Sequence, residues 1–165
     1  MGRRPRRSRF APDVFVFPGG GVEPADFQAA PLRGLDPDCA RRTGAPPPLA
    51  EALAAAALRE TAEETGLRLP NDHGALKLLA RAITPTNSPI RFHARFFMTE
   101  AETADADHAD SHELTDLDFR TLDEALTLPL MDVTQAMLGA LKRSADAPPF
   151  LWAYRRGRPY RRVLA

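Results

Sequence analysis

The pattern of apolar and polar positions predicts a short strand near the start of the chain. Residues 13–21, DVFVFPGGG, contain β-branched and aromatic side chains up to Pro18, and three glycines follow. Proline cannot donate a hydrogen bond to a sheet, and consecutive glycines favour a turn. We therefore expect a strand that leads directly into a glycine turn.

The following segment, residues 22–48, has no long periodic pattern and is rich in proline. Prolines end helices and interrupt sheet pairing, so they favour irregular backbone. We predict an irregular insertion that contains one short helical turn and takes no part in the chemistry.

An alanine-rich helix is predicted to start at Leu49 and to end before Gly66. The prolines that precede it suit a first helical turn, where a missing N–H costs little, and Gly66 fits a C-terminal cap. The expected buried side consists of Leu53, Ala56, Ala57 and Leu58.

The rest of the chain alternates between predicted strands and helices. Residues 75–84 and 91–101 resemble two strands of a hairpin, 114–121 alternate like a strand, and 122–143 contain one or two helices interrupted near Pro129. Residues 150–165 suit a second hairpin that turns near Gly157. Strands interleaved with helices favour an α/β fold in which helices cover a mixed sheet.

Composition narrows this interpretation to one domain that does not span a membrane. The chain has 165 residues, 44% of them hydrophobic, which suits a single domain with a sizeable core. No stretch approaches the roughly 18 apolar residues that a membrane span needs, and no signal-peptide pattern follows the first arginines. The single cysteine, Cys39, excludes an internal disulfide and a zinc site built from several cysteines. We therefore expect a cytoplasmic protein.

Charge adds a feature that the fold alone does not require. Formal net charge is zero, but arginines crowd both ends of the chain, which favours an anionic partner. Glu60, Glu63 and Glu64 share one face of the predicted helix, where like charges repel each other. A solvated acidic face is one explanation. A second is a divalent-cation site, because Mg²⁺ and Mn²⁺ prefer carboxylate oxygens and Arg59 is placed to orient one of them.

The motif around these glutamates resembles the box of the Nudix hydrolase family. That box consists of glycine, five residues, glutamate, seven residues, Arg-Glu, an aliphatic residue, any residue, Glu-Glu, any residue, glycine and an aliphatic residue. Residues 51–67 match its second half, with Thr61 in place of the aliphatic residue. The first half differs, because Ala45 occupies the glycine position and the glycine turn lies upstream at residues 17–20. About thirty residues therefore lie between turn and helix.

The resemblance implies a Nudix-type α/β/α sandwich with a mixed sheet, formed by residues 1–165 as a single domain. Residues 22–48 are then an insertion within the box, and residues 145–165 a C-terminal extension. The implied activity is diphosphatase activity, the hydrolysis of a nucleoside diphosphate linked to another moiety, with Mg²⁺ or Mn²⁺ as cofactor. The implied metal ligands are Glu60, Glu63, Glu64 and the carbonyl oxygen of Gly20. The implied catalytic residues are Glu60, Arg59 and, as a base from outside the box, Glu113.

The split box is similar to one branch of the family, related to peroxisomal coenzyme A diphosphatases. Members of that branch also carry a segment like ITPTNSPIRFHARFF, residues 83–97. Arg4 and Arg9 fall at two arginine positions of the branch's signature, relative to Phe17, whereas Pro5 and Asp13 differ from it. This similarity implies coenzyme A or an acyl derivative as substrate, with Arg4 and Arg9 binding it.

Other interpretations remain open at this stage. The substrate is alternatively ADP-ribose or a nucleotide sugar, or the chain is a non-catalytic Nudix module that binds nucleotides or RNA. We expect a small nucleotide diphosphate as partner, rather than a nucleic acid or a membrane, and a homodimer if an exposed sheet edge pairs with a second chain. Glu51 either helps to place Arg59 or the groups around the metal, or simply favours the helix start. His93 is interpreted as a packed or paired histidine.

Overall fold

A computed structural model describes residues 1–8, 10–88, 90–100 and 110–165 of the chain. Its strands are β1 (Gly2–Arg3), β2 (Phe15–Val16), β3 (Lys77–Ile83), β4 (His93–Met98), β5 (Phe150–Arg155) and β6 (Arg158–Val163). Its helices are α1 (Pro37–Arg42), α2 (Pro47–Thr65), α3 (Leu122–Ala125) and α4 (Asp132–Arg143), with 3-10 helices at Pro24–Gln28 and His73–Ala75.

The main sheet is mixed and has the strand order β4-β3-β5-β6. Strand β3 pairs antiparallel with β4 and parallel with β5, and β5 pairs antiparallel with β6. Both predicted hairpins are therefore confirmed, and residues 145–165 supply two strands of this sheet. A smaller antiparallel pair, β1 and β2, carries the glycine turn, because Phe17 to Gly20 follow β2 directly.

Helices cover both faces of the main sheet. On one face, Met137 and Ala140 of α4 pack against Leu79, Ala80 and Phe150. On the other, Ala50 and Ala54 of α2 pack with Leu35 and Leu76. These two apolar layers produce the predicted α/β/α arrangement. No helix in the described part of the chain is long and apolar enough to cross a membrane.

Helix α2 positions the candidate site and packs closely through small side chains. It begins at Pro47, two residues before the predicted start, and its buried apolar residues are Ala50, Ala52, Ala54, Ala55 and Ala56. Of the four residues expected to be buried, only Ala56 is fully so, while the other three are half-buried. The C-terminal cap is confirmed, since Gly66 has φ 77° and its N–H donates to the carbonyl of Ala62.

Two sequence-based predictions of local structure are wrong. Residues 114–121 form no strand, and Thr115 only makes an isolated bridge with Arg3. The carboxylate of Asp110 accepts hydrogen bonds from the N–H groups of Asp116 and Leu117, at 3.2 and 3.0 Å. These N–H groups therefore bind a side chain instead of a neighbouring strand. The insertion contains a 3-10 helix and α1 instead of one turn, because Asp36 caps α1 by accepting two N–H groups.

Candidate active site

Arg59 joins the insertion, the glycine turn and the acidic cluster. Its Nε and Nη2 donate to Asp26 at 3.0 and 3.1 Å, and its Nη2 also donates to the carbonyl of Gly21 at 2.9 Å. Its Nη1 donates to Glu60 at 2.9 Å and to Glu63 at 3.0 Å. Hydrogen bonding to Arg59 lowers the pKa of the buried Asp26 carboxyl. Asp26 therefore stays ionised and keeps its two hydrogen bonds to the guanidinium group of Arg59. Arg59 therefore orients the carboxylate of Glu60 from a fixed position.

Gly20 makes room for the carboxylate of Glu60. A Cβ atom added to Gly20 would lie 2.1 Å from Glu60 Oε1, so any other residue here would push the Glu60 carboxylate aside. The neighbouring Gly21 has open space at the same position. The glycine at residue 20 therefore lets main-chain atoms of the turn lie beside a carboxylate of α2.

Glu64 is a buried carboxylate with 5% of its surface exposed. One of its oxygens accepts the N–H of Gly19 at 2.8 Å. The pKa of Glu64 is raised to about 7, first by burial and also by the charges on Glu113 and Glu60, while the Gly19 N–H and Arg4 oppose the shift. The structure thus brings Arg4 and Glu113, which are distant in sequence, into the electrostatic environment of Glu64.

The three glutamates are divided between two partners. Glu60 and Glu63 face Arg59, whereas Glu64 faces the glycine turn. Among the described residues, no three acidic, histidine or cysteine side chains converge as a closed metal cage. Mg²⁺ does not require such a cage, because it commonly binds one or two protein carboxylates and completes its coordination with water and substrate phosphates. Arg59 pairs with Glu60 and Glu63, but no ion pair in the described part of the chain neutralises Glu64. The carboxylate oxygens of Glu60 and Glu64 beside the glycine turn are hard donors, so the residues present fit a hard divalent cation.

A cleft of about 320 Å³ contains two more of the predicted site residues. Its lining residues are Arg4, Pro5, Arg7, Ser8, His112 and Glu113. Arg4 and Glu113 were predicted from the sequence, whereas Arg7 was not. Arg9 lies outside the described residues. A larger groove of about 460 Å³ lies between the insertion and α2, but its walls are mostly alanine and leucine side chains.

Two further contacts differ from the sequence-based expectations. Asp26 lies in the insertion that was expected to take no part in the site, yet it holds Arg59 across a separation of 33 residues. The local pattern around Asp26 shows only that it forms a capping box with Glu23 around the first 3-10 helix, and this gives no sign of the distant Arg59. Glu51 does not contact Arg59. It accepts the N–H of Leu35 at 2.9 Å and meets Nδ1 of the buried His73 at 2.6 Å.

Comparison with known proteins agrees with this geometry. The family model described as the NUDIX domain matches residues 2–139. A crystal structure of a Nudix hydrolase from Alicyclobacillus acidocaldarius is similar, with 27% sequence identity and a TM-score of 0.65, over 85% of this chain and 81% of that chain. No curated protein matches the chain significantly.

The fold, the glycine turn and the glutamate-bearing helix define a hydrolase scaffold, and the family model covers most of it. The chain belongs to the Nudix family. It is a Nudix hydrolase, an enzyme that acts on phosphoric anhydrides, and a small nucleotide is its class of substrate. Enzymes of this family generally use divalent metals such as Mg²⁺ or Mn²⁺.

Proposed function

We propose that the chain is a metal-dependent diphosphatase of coenzyme A or of acyl-coenzyme A. The observation that carries this proposal is the position of Arg4 and Arg7 in the cleft that also contains Glu113. A nucleotide diphosphate that lies between the glutamates and this cleft would bring any additional phosphate close to two guanidinium groups. Coenzyme A has such a phosphate at its 3′ position, whereas ADP-ribose and most nucleotide sugars do not.

The proposed metal ligands are the carboxylates of Glu60, Glu63 and Glu64 and the carbonyl oxygen of Gly20. When bound, Mg²⁺ or Mn²⁺ would offset charge on the diphosphate and make water more acidic. Arg59 keeps the carboxylate of Glu60 in place through the hydrogen bond at 2.9 Å. Glu63 has 58% of its side chain exposed, so it can leave Arg59 at little cost.

Glu113 is the proposed general base. It is an exposed residue of the cleft, and its charge raises the pKa of Glu64, which places the two carboxyl groups close to each other. In the proposed reaction, water adds to one phosphorus and the bridging P–O bond breaks. The carboxylate of Glu113 accepts the proton of the water, and the phosphate released with the leaving group carries the bond electrons. The products from coenzyme A are 3′,5′-ADP and 4′-phosphopantetheine.

Arg4 is well placed for the additional phosphate because it is held by backbone bonds at the base of the loop between β1 and β2. Its N–H donates to the carbonyl of Val14 at 2.9 Å, and its own carbonyl accepts the N–H of Asp13 at 3.1 Å. In the described part of the chain, no ion pair neutralises Arg4 or Arg7. Guanidinium groups without a carboxylate partner are suited to a phosphate dianion.

The test compares coenzyme A with its 3′-dephospho form by kcat/KM. We expect coenzyme A to be preferred by at least about tenfold, and we expect Arg4→Ala and Arg7→Ala to remove most of that preference. Because both substrates undergo the same chemical step, an effect on catalysis cancels in the ratio. Arg6→Ala is the matched control, since Arg6 is exposed and pairs with Asp13 at 3.4 Å. The Arg6→Ala variant should keep the wild-type preference for coenzyme A over the 3′-dephospho form.

Equal or better kcat/KM for the dephospho compound would overturn the coenzyme A assignment. ADP-ribose or a nucleotide sugar would then be the better substrate class, and a phosphate-release screen over these compounds with Mg²⁺ and Mn²⁺ would identify it. Retention of the preference in both the Arg4→Ala and Arg7→Ala variants would instead place recognition of the 3′-phosphate elsewhere in the chain.

A further inference from the structure

A cluster of basic side chains lies on the main sheet, away from the glutamates. Arg81 of β3 and Arg95 of β4 are direct cross-strand partners, and His93 precedes Arg95 by two positions on the same strand. Arg81 Nε and Nη2 lie 3.3 and 3.2 Å from Nε2 of His93. Like charges placed opposite each other on adjacent strands are destabilising unless something offsets them.

No carboxylate in the described part of the chain offsets this charge. Within the described residues, neither Arg81 nor Arg95 takes part in an ion pair with an acidic side chain. The pKa of Arg95 is lowered, first by burial and then by the charge on Arg81, and the pKa of His93 is lowered to about 4 by burial, Arg95 and Arg81. The cluster therefore contains two positive charges and a neutral imidazole, and no carboxylate of the described ranges is paired with them.

The turn between α1 and α2 fixes both guanidinium groups. Arg95 Nε donates to the carbonyl of Thr43 at 3.1 Å, and Arg95 Nη1 donates to the carbonyl of His93 at 2.7 Å. A Cβ atom on Gly44 would lie 2.3 Å from Nη1 of Arg81, so the glycine leaves the space that this guanidinium occupies. Gly44 also has φ 66°, which few other residues adopt.

Several donors of the cluster remain available for a ligand. Among the residues that the structure describes, no hydrogen-bond partner occupies Nη2 of Arg95 or Nη1 of Arg81. Because Nε2 of His93 accepts from Arg81, the ring proton lies on Nδ1, which can also donate. His93 is exposed, and both arginines are partly exposed, so a small molecule can reach them. Available guanidinium and imidazole donors in a cluster with net positive charge suit an oxyanion.

We propose that Arg81, His93 and Arg95 form a binding site for the phosphate group of a small molecule, separate from the hydrolytic site. The separation follows from helix α2, which begins at Pro47, just after Gly44, and carries Glu60 and Glu64 in its last two turns. From Pro47 to Glu60 the helix rises by roughly 20 Å, since each residue adds about 1.5 Å. One diphosphate cannot contact both sites.

The test is a titration of the full-length protein with inorganic phosphate at constant ionic strength, with chloride as the compensating anion. Binding is followed by the NMR resonances of the His93 ring and by the thermal midpoint. We expect a saturable shift of His93, a rise in its pKa when phosphate is bound, and a loss of affinity of about tenfold or more in Arg81→Gln and in Arg95→Gln. Arg91→Gln, which removes an exposed arginine just before β4, should retain the wild-type affinity.

A second titration with AMP distinguishes the two sources of such a group. Tighter binding of AMP than of phosphate would identify a nucleotide as the ligand, and equal binding would identify free phosphate. Arg81→Gln should keep the wild-type kcat for diphosphate hydrolysis, because the cluster lies outside the hydrolytic site. If phosphate leaves the His93 resonances unchanged, or if Arg81→Gln and Arg95→Gln bind phosphate as the wild type does, the proposal is wrong. The first of these outcomes needs only the wild-type protein, so it does not depend on whether the variants fold.

Discussion

Replacing Glu64 with glutamine should stabilise the metal-free protein at neutral and alkaline pH. Glu64 is buried, lies near Glu60 and Glu113, and has a pKa of about 7 in the folded protein. In the unfolded chain its pKa returns to the ordinary value of 4.5. The folded state therefore holds this proton more tightly than the unfolded state, and stability falls as pH rises from 4.5 through 7.

The size of the effect follows from the same two pKa values. A rise from 4.5 to about 7 corresponds to roughly 3 kcal/mol of folding free energy above pH 7, because each pH unit is worth about 1.4 kcal/mol. The glutamine carbonyl still accepts the Gly19 N–H, but its amide hydrogens are buried without partners, which offsets part of the gain. We expect a net stabilisation of about 2 kcal/mol at pH 8, which is about 5 °C in the thermal midpoint for a chain of this length.

The assay is chemical denaturation of both proteins at pH 5 and pH 8 with a metal chelator present. The advantage of Glu64→Gln should shrink or vanish at pH 5, where the wild-type carboxyl is already protonated. Glu63→Gln is the matched control, because it removes the same charge from an exposed position on the same helix. Its effect on stability should be small at both pH values. A Glu64→Gln variant that is less stable than the wild type by the same amount at both pH values would refute the reasoning. Glu64 would then act only by accepting the Gly19 N–H, and its charge would not lower the stability of the folded protein.

Two further predictions concern the neighbours of Arg59. Gly20→Ala should displace the carboxylate of Glu60, since the new Cβ would lie 2.1 Å from Oε1, and we expect loss of most activity and weaker Mn²⁺ binding by calorimetry, whereas Gly21→Ala should have little effect on either. Unchanged Mn²⁺ affinity in Gly20→Ala would contradict the proposed ligand set. Asp26→Asn should lower kcat by about tenfold and destabilise the fold by about 1–3 kcal/mol, because it leaves the guanidinium of Arg59 with a weaker partner. Wild-type kcat in this variant would show that the contact is dispensable for orienting Glu60.

The sequence predicted those features that depend on local pattern. The hairpin of β3 and β4, the cap at Gly66 and the break between α3 and α4 are each encoded within a few residues. The glutamates could be proposed as a candidate site because three acids on one helical face have an energetic cost that requires an explanation. Glycine and proline positions gave the turns for the same local reason.

Features that depend on distant contacts were not predictable in this way. Nothing near Asp26 indicates that it pairs with Arg59, and nothing near Glu51 indicates that its partners are Leu35 and His73. The alternating pattern of 114–121 was misleading because it ignores the carboxylate of Asp110, which binds the main chain in place of a neighbouring strand. Periodicity reports which face is buried and gives no information about competing side-chain bonds.

The outer strand β6 has a consequence for how the protein behaves at high concentration. Every residue of β6 is exposed, and the strand carries Arg158, Arg161 and Arg162 together with Pro159. Two copies that met edge to edge would bring arginines together and would meet a proline that cannot donate a hydrogen bond. Salt screens the first of these barriers and leaves the second intact. Pairing of two β6 edges should therefore be least favourable at low ionic strength, where the repulsion between these strands acts at its longest range.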